Sequence, residues 1–229
     1  MLRLALFDLD DTLYPASSGL WPVLVMRMEQ YMIERMGIAA QRVPEMRRRY
    51  LANFGSTLNG LRHEYKIDGT EYLAYVHDVP LAEFIQPQPR LSEMLGRLPV
   101  EKAIFTNADA PHARRVLATL GIAQHFPLIV DVHSMDFINK PDPRAYQHVL
   151  ALTGALANEC IFVDDRLANL LPAAELGMMT VLVKDGATGS PPAGIDFQIS
   201  SILEIEPIIN AASGESDGTH GNLNVGAFS

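Results

Sequence analysis

The sequence holds a single cysteine in 229 residues. Cys160 has no partner for an intramolecular disulfide, so the fold cannot depend on oxidation. Its setting, Cys160-Ile161-Phe162-Val163, reads as buried strand and not as a reactive thiol. Lysine is nearly as scarce: Lys66, Lys102, Lys140 and Lys184 are the full set. A net charge of −9 provides no basic surface for nucleic acid. The run Arg47-Arg48-Arg49 is too short to reverse that balance and reads as a solvated helix face. No apolar stretch approaches the about 20 residues of a membrane helix. The first residues enter a strand pattern with no basic and apolar leader, so a cytoplasmic protein that binds neither membrane nor nucleic acid is expected.

What the chain does contain is a short apolar run that ends in acid. Leu4-Ala5-Leu6-Phe7 has the pattern of a strand buried on both faces, and Asp8-Leu9-Asp10-Asp11-Thr12 follows at once. Open parallel sheets carry their chemistry just beyond the carboxyl ends of their strands. Acids delivered there can serve as nucleophile, proton donor or metal ligand; a mere exposed strand end is the competing reading.

From Pro15 to Pro89 the pattern turns helical, with segments expected over Pro22–Met36, Pro44–Phe54 and Thr70–Val76. Gln86-Pro87-Gln88-Pro89 reads as a hinge or linker. Strand–helix alternation then resumes. Strands are expected at Lys102–Thr106, Leu128–Val130, Cys160–Asp164, Met179–Val183 and Phe197–Ile199, with helices near Ala110–Leu120, Pro143–Leu152 and Ala168–Leu176. This predicts an α/β fold, a Rossmann-like parallel sheet flanked by helices, with an inserted all-helical cap. Residues 1–14 and 90–211 would form the core and 15–89 the cap. From 212 to 229 the Gly-, Ser- and Asn-rich composition predicts a disordered tail.

Three further segments fit one reaction. Thr106-Asn107 closes the second strand with a hydroxyl and N–H groups that such a turn can offer to a phosphate, Lys140 precedes a helix start at Asp142-Pro143, and Asp164-Asp165 ends the fourth strand. Each is weak alone; the order strand-acid-x-acid-x-Thr, strand-Thr-Asn, Lys-Pro, strand-Asp-Asp is informative. Asp8, Asp10, Asp164 and Asp165 at neighbouring strand ends would repel one another by about 4 kcal/mol per pair at ~4 Å and an effective dielectric of about 20. Such a cluster calls for a cation, and oxygen-only ligands favour Mg²⁺.

In that order the sequence resembles the haloacid dehalogenase-like hydrolase superfamily, in its phosphatase branch with a type-one helical cap. The likeness runs over about residues 2 to 205. Within the cap, Gly55-Ser56-Thr57-Leu58-Asn59-Gly60-Leu61 resembles the pyrimidine 5′-nucleotidase-like subgroup, and Asp11-Thr12-Leu13-Tyr14 and the spacing through Leu91 point the same way.

The resemblance implies that Asp8 attacks phosphorus to give an aspartyl phosphate, and that Asp10 protonates the leaving alkoxide and later activates water. It implies that Asp8, the Asp10 carbonyl and Asp165 hold Mg²⁺, with Asp164 acting through a water. Lys140 would neutralise charge while Thr106 and Asn107 orient the phosphoryl group. Asp10 is expected to have a raised pKa among its acidic neighbours. Its presence speaks against dehalogenation, since the dehalogenases lack this acid; a phosphomutase stays open. Thr12 would support the turn, and Asn169 either holds the Asp165 loop or is a surface residue.

In the cap, Thr57, Asn59 and His63 are candidate contacts to a base or sugar, with Gly55 and Gly60 letting backbone approach the ligand. A cap loop and a solvated helix start is the competing reading. Tyr65 and Tyr72 are expected in the cap core. A small phosphorylated substrate, with UMP or CMP leading, is the expected partner. A homologue that binds a phosphorylated ligand or a protein without turnover is the alternative of another class.

Overall fold

The computed structural model describes residues 1–214. Its centre is a six-stranded, wholly parallel sheet in the order β3-β2-β1-β4-β5-β6. The strands are β1 (Leu4–Phe7), β2 (Glu101–Phe105), β3 (Leu128–Val130), β4 (Cys160–Asp164), β5 (Met179–Val183) and β6 (Phe197–Ile199). β1 and β4 are buried along their full length, as apolar strands covered on both faces must be.

Between β1 and β2 every regular element is helical: α1 (Leu20–Gln30), α2 (Val43–Phe54), α3 (Thr57–Tyr65), α4 (Gly69–His77) and α5 (Pro89–Arg97), with short 3₁₀ turns. α1 continues through a π turn, Tyr31–Arg35, and stops before Gly37 at φ +67°. After β2 come α6 (Ala110–Leu120), α7 (Pro143–Thr153), α8 (Leu167–Glu175) and α9 (Ile205–Ser213). Phe105, Phe162, Leu6, Tyr146 and Leu170 pack one sheet face against α7 and α8. Phe7, Ile104, Val163, Val116 and Ile209 pack the other, in a core continuous with the helical insertion.

Local chemistry sets the starts. Asp109 caps α6 by accepting the His112 N–H, and Asp142 caps α7 from the Arg144 N–H, each followed by proline in the first turn. The register then fixes the site. Phe7 lies beside Ile104 on β2 and Val163 on β4, so Asp8 and Asp164 leave the sheet at one level.

Several expectations change. α3 is a helix where a loop and a helix start were read; Ser56 caps it, its Oγ accepting the Asn59 N–H at 3.1 Å. Gly60 is internal to that helix, and a Cβ there would collide with the Tyr50 ring of α2. Its small size serves helix–helix contact and not a ligand. α5 begins within the proline cluster read as a linker, with Pro89 in its first turn. Tyr72 is buried as expected, but Tyr65 is 46% exposed. The helix α9 runs past 212, and the rest of the expected tail lies outside the described residues.

Candidate active site

Lys140 organises the strand ends. Its Nζ donates to Asp8 Oδ1 at 2.7 Å, Asp164 Oδ2 at 2.8 Å and the Phe105 carbonyl at 2.7 Å. All three N–H donors are thereby used. The side chain is fully buried, with the ammonium 5.0 Å from the ring centroids of both Phe105 and Phe162. Burial alone would lower its pKa, but the two carboxylates outweigh that and hold it above the ordinary lysine value. The Asn107 side chain clamps the same residue, accepting the Lys140 N–H and donating to the Lys140 carbonyl, both at 2.9 Å. Asp164 is equally committed: Oδ1 accepts the Arg166 N–H at 2.8 Å, and Asn169 Nδ2 lies 3.0 Å from both oxygens.

The neighbouring acids are left with less. Asp165 has no hydrogen bond among the described residues, and Asp8 Oδ2 meets only the Thr12 hydroxyl at 3.4 Å. Carboxylate oxygens of Asp8, Asp164 and Asp165 lie within 4.8 Å of one another. Burial pushes Asp8 up to about 7 against the pull of Lys140, with Asp164 adding to the rise. Burial, then the charges of Asp8 and Asp164, push Asp165 up to about 8. Crowded carboxylates with unused oxygens form a donor set that fits a divalent cation.

Asp10 departs from expectation. Its Oδ1 accepts from Tyr14 Oη at 2.6 Å and sits 3.0 Å from His112 Nε2. Burial pushes this carboxyl up, but the charge and hydrogen bond of His112, with the Tyr14 hydroxyl and His77, outweigh it. The pKa falls below the ordinary aspartate value. The raised value expected from acidic neighbours is therefore corrected: the donors touching Asp10 matter more than the acids around it.

A cavity of about 640 Å³ opens over these groups. Asp8, Asp10, Asp165, Thr106 and Asn107 line its floor, and Trp21, Leu51, Leu58, Tyr72 and Val76 of the insertion contribute apolar wall. A family model described as haloacid dehalogenase-like hydrolase matches residues 2–177.

The chain belongs to the haloacid dehalogenase-like hydrolases.

Among curated relatives, Phosphate metabolism protein 8 of Saccharomyces cerevisiae is 28% identical over 192 residues, 77% of this chain and 60% of that protein. Bifunctional epoxide hydrolase 2 of Rattus norvegicus is 34% identical over 107 residues, 45% of this chain and only 19% of the rat protein. The chain thus spans less than two thirds of either relative. Glyceraldehyde 3-phosphate phosphatase of Methanocaldococcus jannaschii is 27% identical over 228 residues, 91% of this chain and 97% of that enzyme.

Solved structures show the same fold. The haloacid dehalogenase-like phosphatase of Thermococcus onnurineus superposes with a TM-score of 0.59 at 20% identity, covering 91% of this chain and 98% of its own. The L-2-haloacid dehalogenase of Xanthobacter autotrophicus gives 0.59 at 15% identity, covering 92% and 99%. One fold carries both chemistries, so the site residues and not the architecture must discriminate.

Within this hydrolase site Asp8, Asp10, Lys140, Thr106, Asn107, Asp164 and Asp165 converge as a set. The insertion's candidates separate. Thr57 is buried and lines the cavity. Asn59 instead donates to Asn139 Oδ1 at 2.6 Å and the Phe137 carbonyl at 3.0 Å, bracing the loop that leads to Lys140. His63 is exposed, its ring 4.9 Å from that of Phe54, and is not part of the cavity wall. Arg47 and Arg48 do line the cavity, and Arg47 Nη1 pairs with Glu29 at 2.6 Å, so this run is not a plain solvated face. Asn169 is buried on Asp164, which resolves its two readings in favour of support. Sequence reasoning passed over His77 and His112. His112 sits three residues past a helix cap, and nothing in Asp109-Ala110-Pro111-His112 tells which side chain turns back toward β1.

No helix among the described residues is long and apolar enough to cross a membrane.

Proposed function

We propose that the chain is a Mg²⁺-dependent phosphomonoesterase working through an aspartyl phosphate on Asp8, with pyrimidine nucleoside 5′-monophosphates as its leading substrates. The observation that carries the reading is Asp8 at a strand end, one oxygen held by Lys140 and the other nearly free beside Asp165. A carboxylate fixed by one oxygen presents the other as nucleophile. Asp8 and Asp165, with the Asp10 carbonyl, would hold the ion. When bound, Mg²⁺ neutralises charge on the phosphoryl oxygens.

Asp8 Oδ2 bonds to phosphorus as the bond from phosphorus to the substrate oxygen breaks, and Asp10, which takes up a proton once the bound phosphate's negative charge raises its pKa, gives that oxygen the proton. Asp10 then takes a proton from the water that cleaves the acyl phosphate, returning both groups to their starting states. Lys140 stays charged throughout, facing developing negative charge in a buried site. The apolar wall, with the chain's one tryptophan, suits a nucleoside better than a two-carbon acid. A smaller sugar or triose phosphate is the second reading, favoured by the full-length similarity to the glyceraldehyde 3-phosphate phosphatase.

Phosphate release from UMP, CMP, AMP, ribose 5-phosphate and glyceraldehyde 3-phosphate, with Mg²⁺ or EDTA, tests this. Metal-dependent release concentrated on UMP and CMP is expected, with Asp8→Asn lowering kcat by more than about 10³-fold. Even release across the panel would discard the nucleotide preference. Full activity in Asp8→Asn would remove the nucleophile.

A further inference from the structure

Asp10 is held by groups outside the strand-end run Asp8–Thr12 and the segments at Thr106-Asn107, Lys140 and Asp164-Asp165. Two donors converge on one of its oxygens: Tyr14 Oη at 2.6 Å and His112 Nε2 at 3.0 Å from Oδ1. Oδ1 accepts from both, so a proton carried by the Asp10 carboxyl sits on Oδ2. Among the described residues Oδ2 has no hydrogen-bond partner, it is not one of the buried unpartnered atoms, and Asp10 lines the cavity. The carboxyl is thus pinned by one oxygen and offers the other.

The group behind it is itself fixed. The His112 side chain is fully buried and stacks on His77 with ring centroids 4.1 Å apart and planes 18° from parallel. His77 Nδ1 lies 2.7 Å from Asp109 Oδ1, the residue that also caps α6 through the His112 N–H. Arg115 of α6 donates to the carbonyls of His77 and Val79 at 2.8 and 2.6 Å, tying the end of α4 to α6.

We propose that His112 and Tyr14 are positioning residues for the proton-transferring oxygen of Asp10, with His77 holding the His112 ring in plane. This rests on the phosphomonoesterase reading above and adds to it which groups aim the acid. The two donors leave Oδ2 as the atom that gives its proton to the leaving oxygen and later accepts one from water. Because His77 comes from α4, the acid is aimed only when the helical insertion is docked on α6.

Leaving-group dependence tests the proposal. kcat/KM reports steps up to departure of the alcohol. A butyl phosphate needs its leaving oxygen protonated, whereas 4-nitrophenolate leaves without that help. His112→Ala should therefore lower kcat/KM for butyl phosphate and UMP by about 10- to 100-fold, and leave 4-nitrophenyl phosphate within about 2-fold. His112→Gln, which restores a donor, should recover most of the loss. Tyr14→Phe keeps the volume and removes only the hydroxyl; it should show the same selectivity more weakly, and it carries the test if His112→Ala does not fold. Equal loss on alkyl and aryl esters, or no loss on either, would overturn the positioning role while leaving the phosphatase intact. No Mg²⁺-dependent turnover of any ester by the unaltered chain would remove the phosphatase reading, and the proposal with it.

Discussion

On one side of the strand-end cluster, Asp8 Oδ1 and both oxygens of Asp164 are met by Lys140, Asn169 and the Arg166 N–H. On the other, Asp165 and Asp8 Oδ2 are left with one long contact from Thr12. The two sides carry the same chemical groups a few ångströms apart. They differ in whether protein supplies the positive charge. Lys140 has its pKa raised by the carboxylates it faces, so its side is balanced within the chain. Burial, then the charges of Asp8 and Asp164, push Asp165 up to about 8, and the pull of Lys140 is too weak to offset them. The contrast separates a permanent counter-charge from a place that, on the proposed reading, a cation from solution would fill.

Lys140→Ala breaks the balanced side and should have the largest effect. It strands two buried carboxylates, and removal of one partner of a buried ion pair costs about 3–5 kcal/mol. Chemical denaturation should show that loss, together with a fall of at least about 10²-fold in kcat. Unchanged stability would mean that Asp8 and Asp164 find other partners.

Asp165→Asn should act in the opposite sense on stability. The sign follows from linkage: an acid whose folded pKa lies near 8 and whose ordinary value is 3.8 holds its proton more tightly in the native chain. Its contribution to stability is full below about pH 4 and is lost as pH rises toward 8. Replacing it with a neutral amide removes that loss, so the metal-free variant should melt above the parent at pH 8. Mg²⁺ requires the ionised carboxylates, so it should raise the parent's Tm more at pH 8.5 than at pH 6, and the variant's hardly at all. Thermal melts with and without Mg²⁺ at both pH values measure this. A variant with the parent's Mg²⁺ response would exclude Asp165 as a ligand.

The balanced side was the more legible of the two from sequence. Lys140 stands out because the chain has few lysines, and strand-end acids stand out against apolar runs. All six strands fall within one residue of their expected bounds, since buried parallel strands are short apolar blocks between turn residues. The supporting contacts are different in kind. That Asn107 clamps the Lys140 backbone, that Asn59 braces the loop at 137–139, and that His112 turns back onto Asp10 all depend on side chains 33 to 102 positions apart meeting in space. Periodicity carries no information at that range. The expectation for the Asp10 pKa failed for this reason: its acidic neighbours were visible in the sequence, and the histidine 102 positions away that lowers it most was not. α3 was missed because Gly60 was read as freedom for a ligand, when a helix crossing close over Tyr50 needs the same residue.

The smallest predicted effect sharpens the contrast between floor and wall. Thr57 and His63 share helix α3, six residues apart, so they look alike as candidate contacts. Only Thr57 turns into the cavity; His63 lies outside it on the ring of Phe54, with its side chain in solvent. Exposed substitutions away from caps and pairs shift stability by about 0.5 kcal/mol or less. His63→Ala should therefore leave KM and kcat for UMP within about 2-fold, whereas Thr57→Val should raise KM if its hydroxyl meets the substrate. Steady-state kinetics on the two variants decides between them. A raised KM in His63→Ala alone would mean that α3 turns its outer face to the ligand, and that the wall built by Trp21, Leu51 and Tyr72 is not where the leaving group rests.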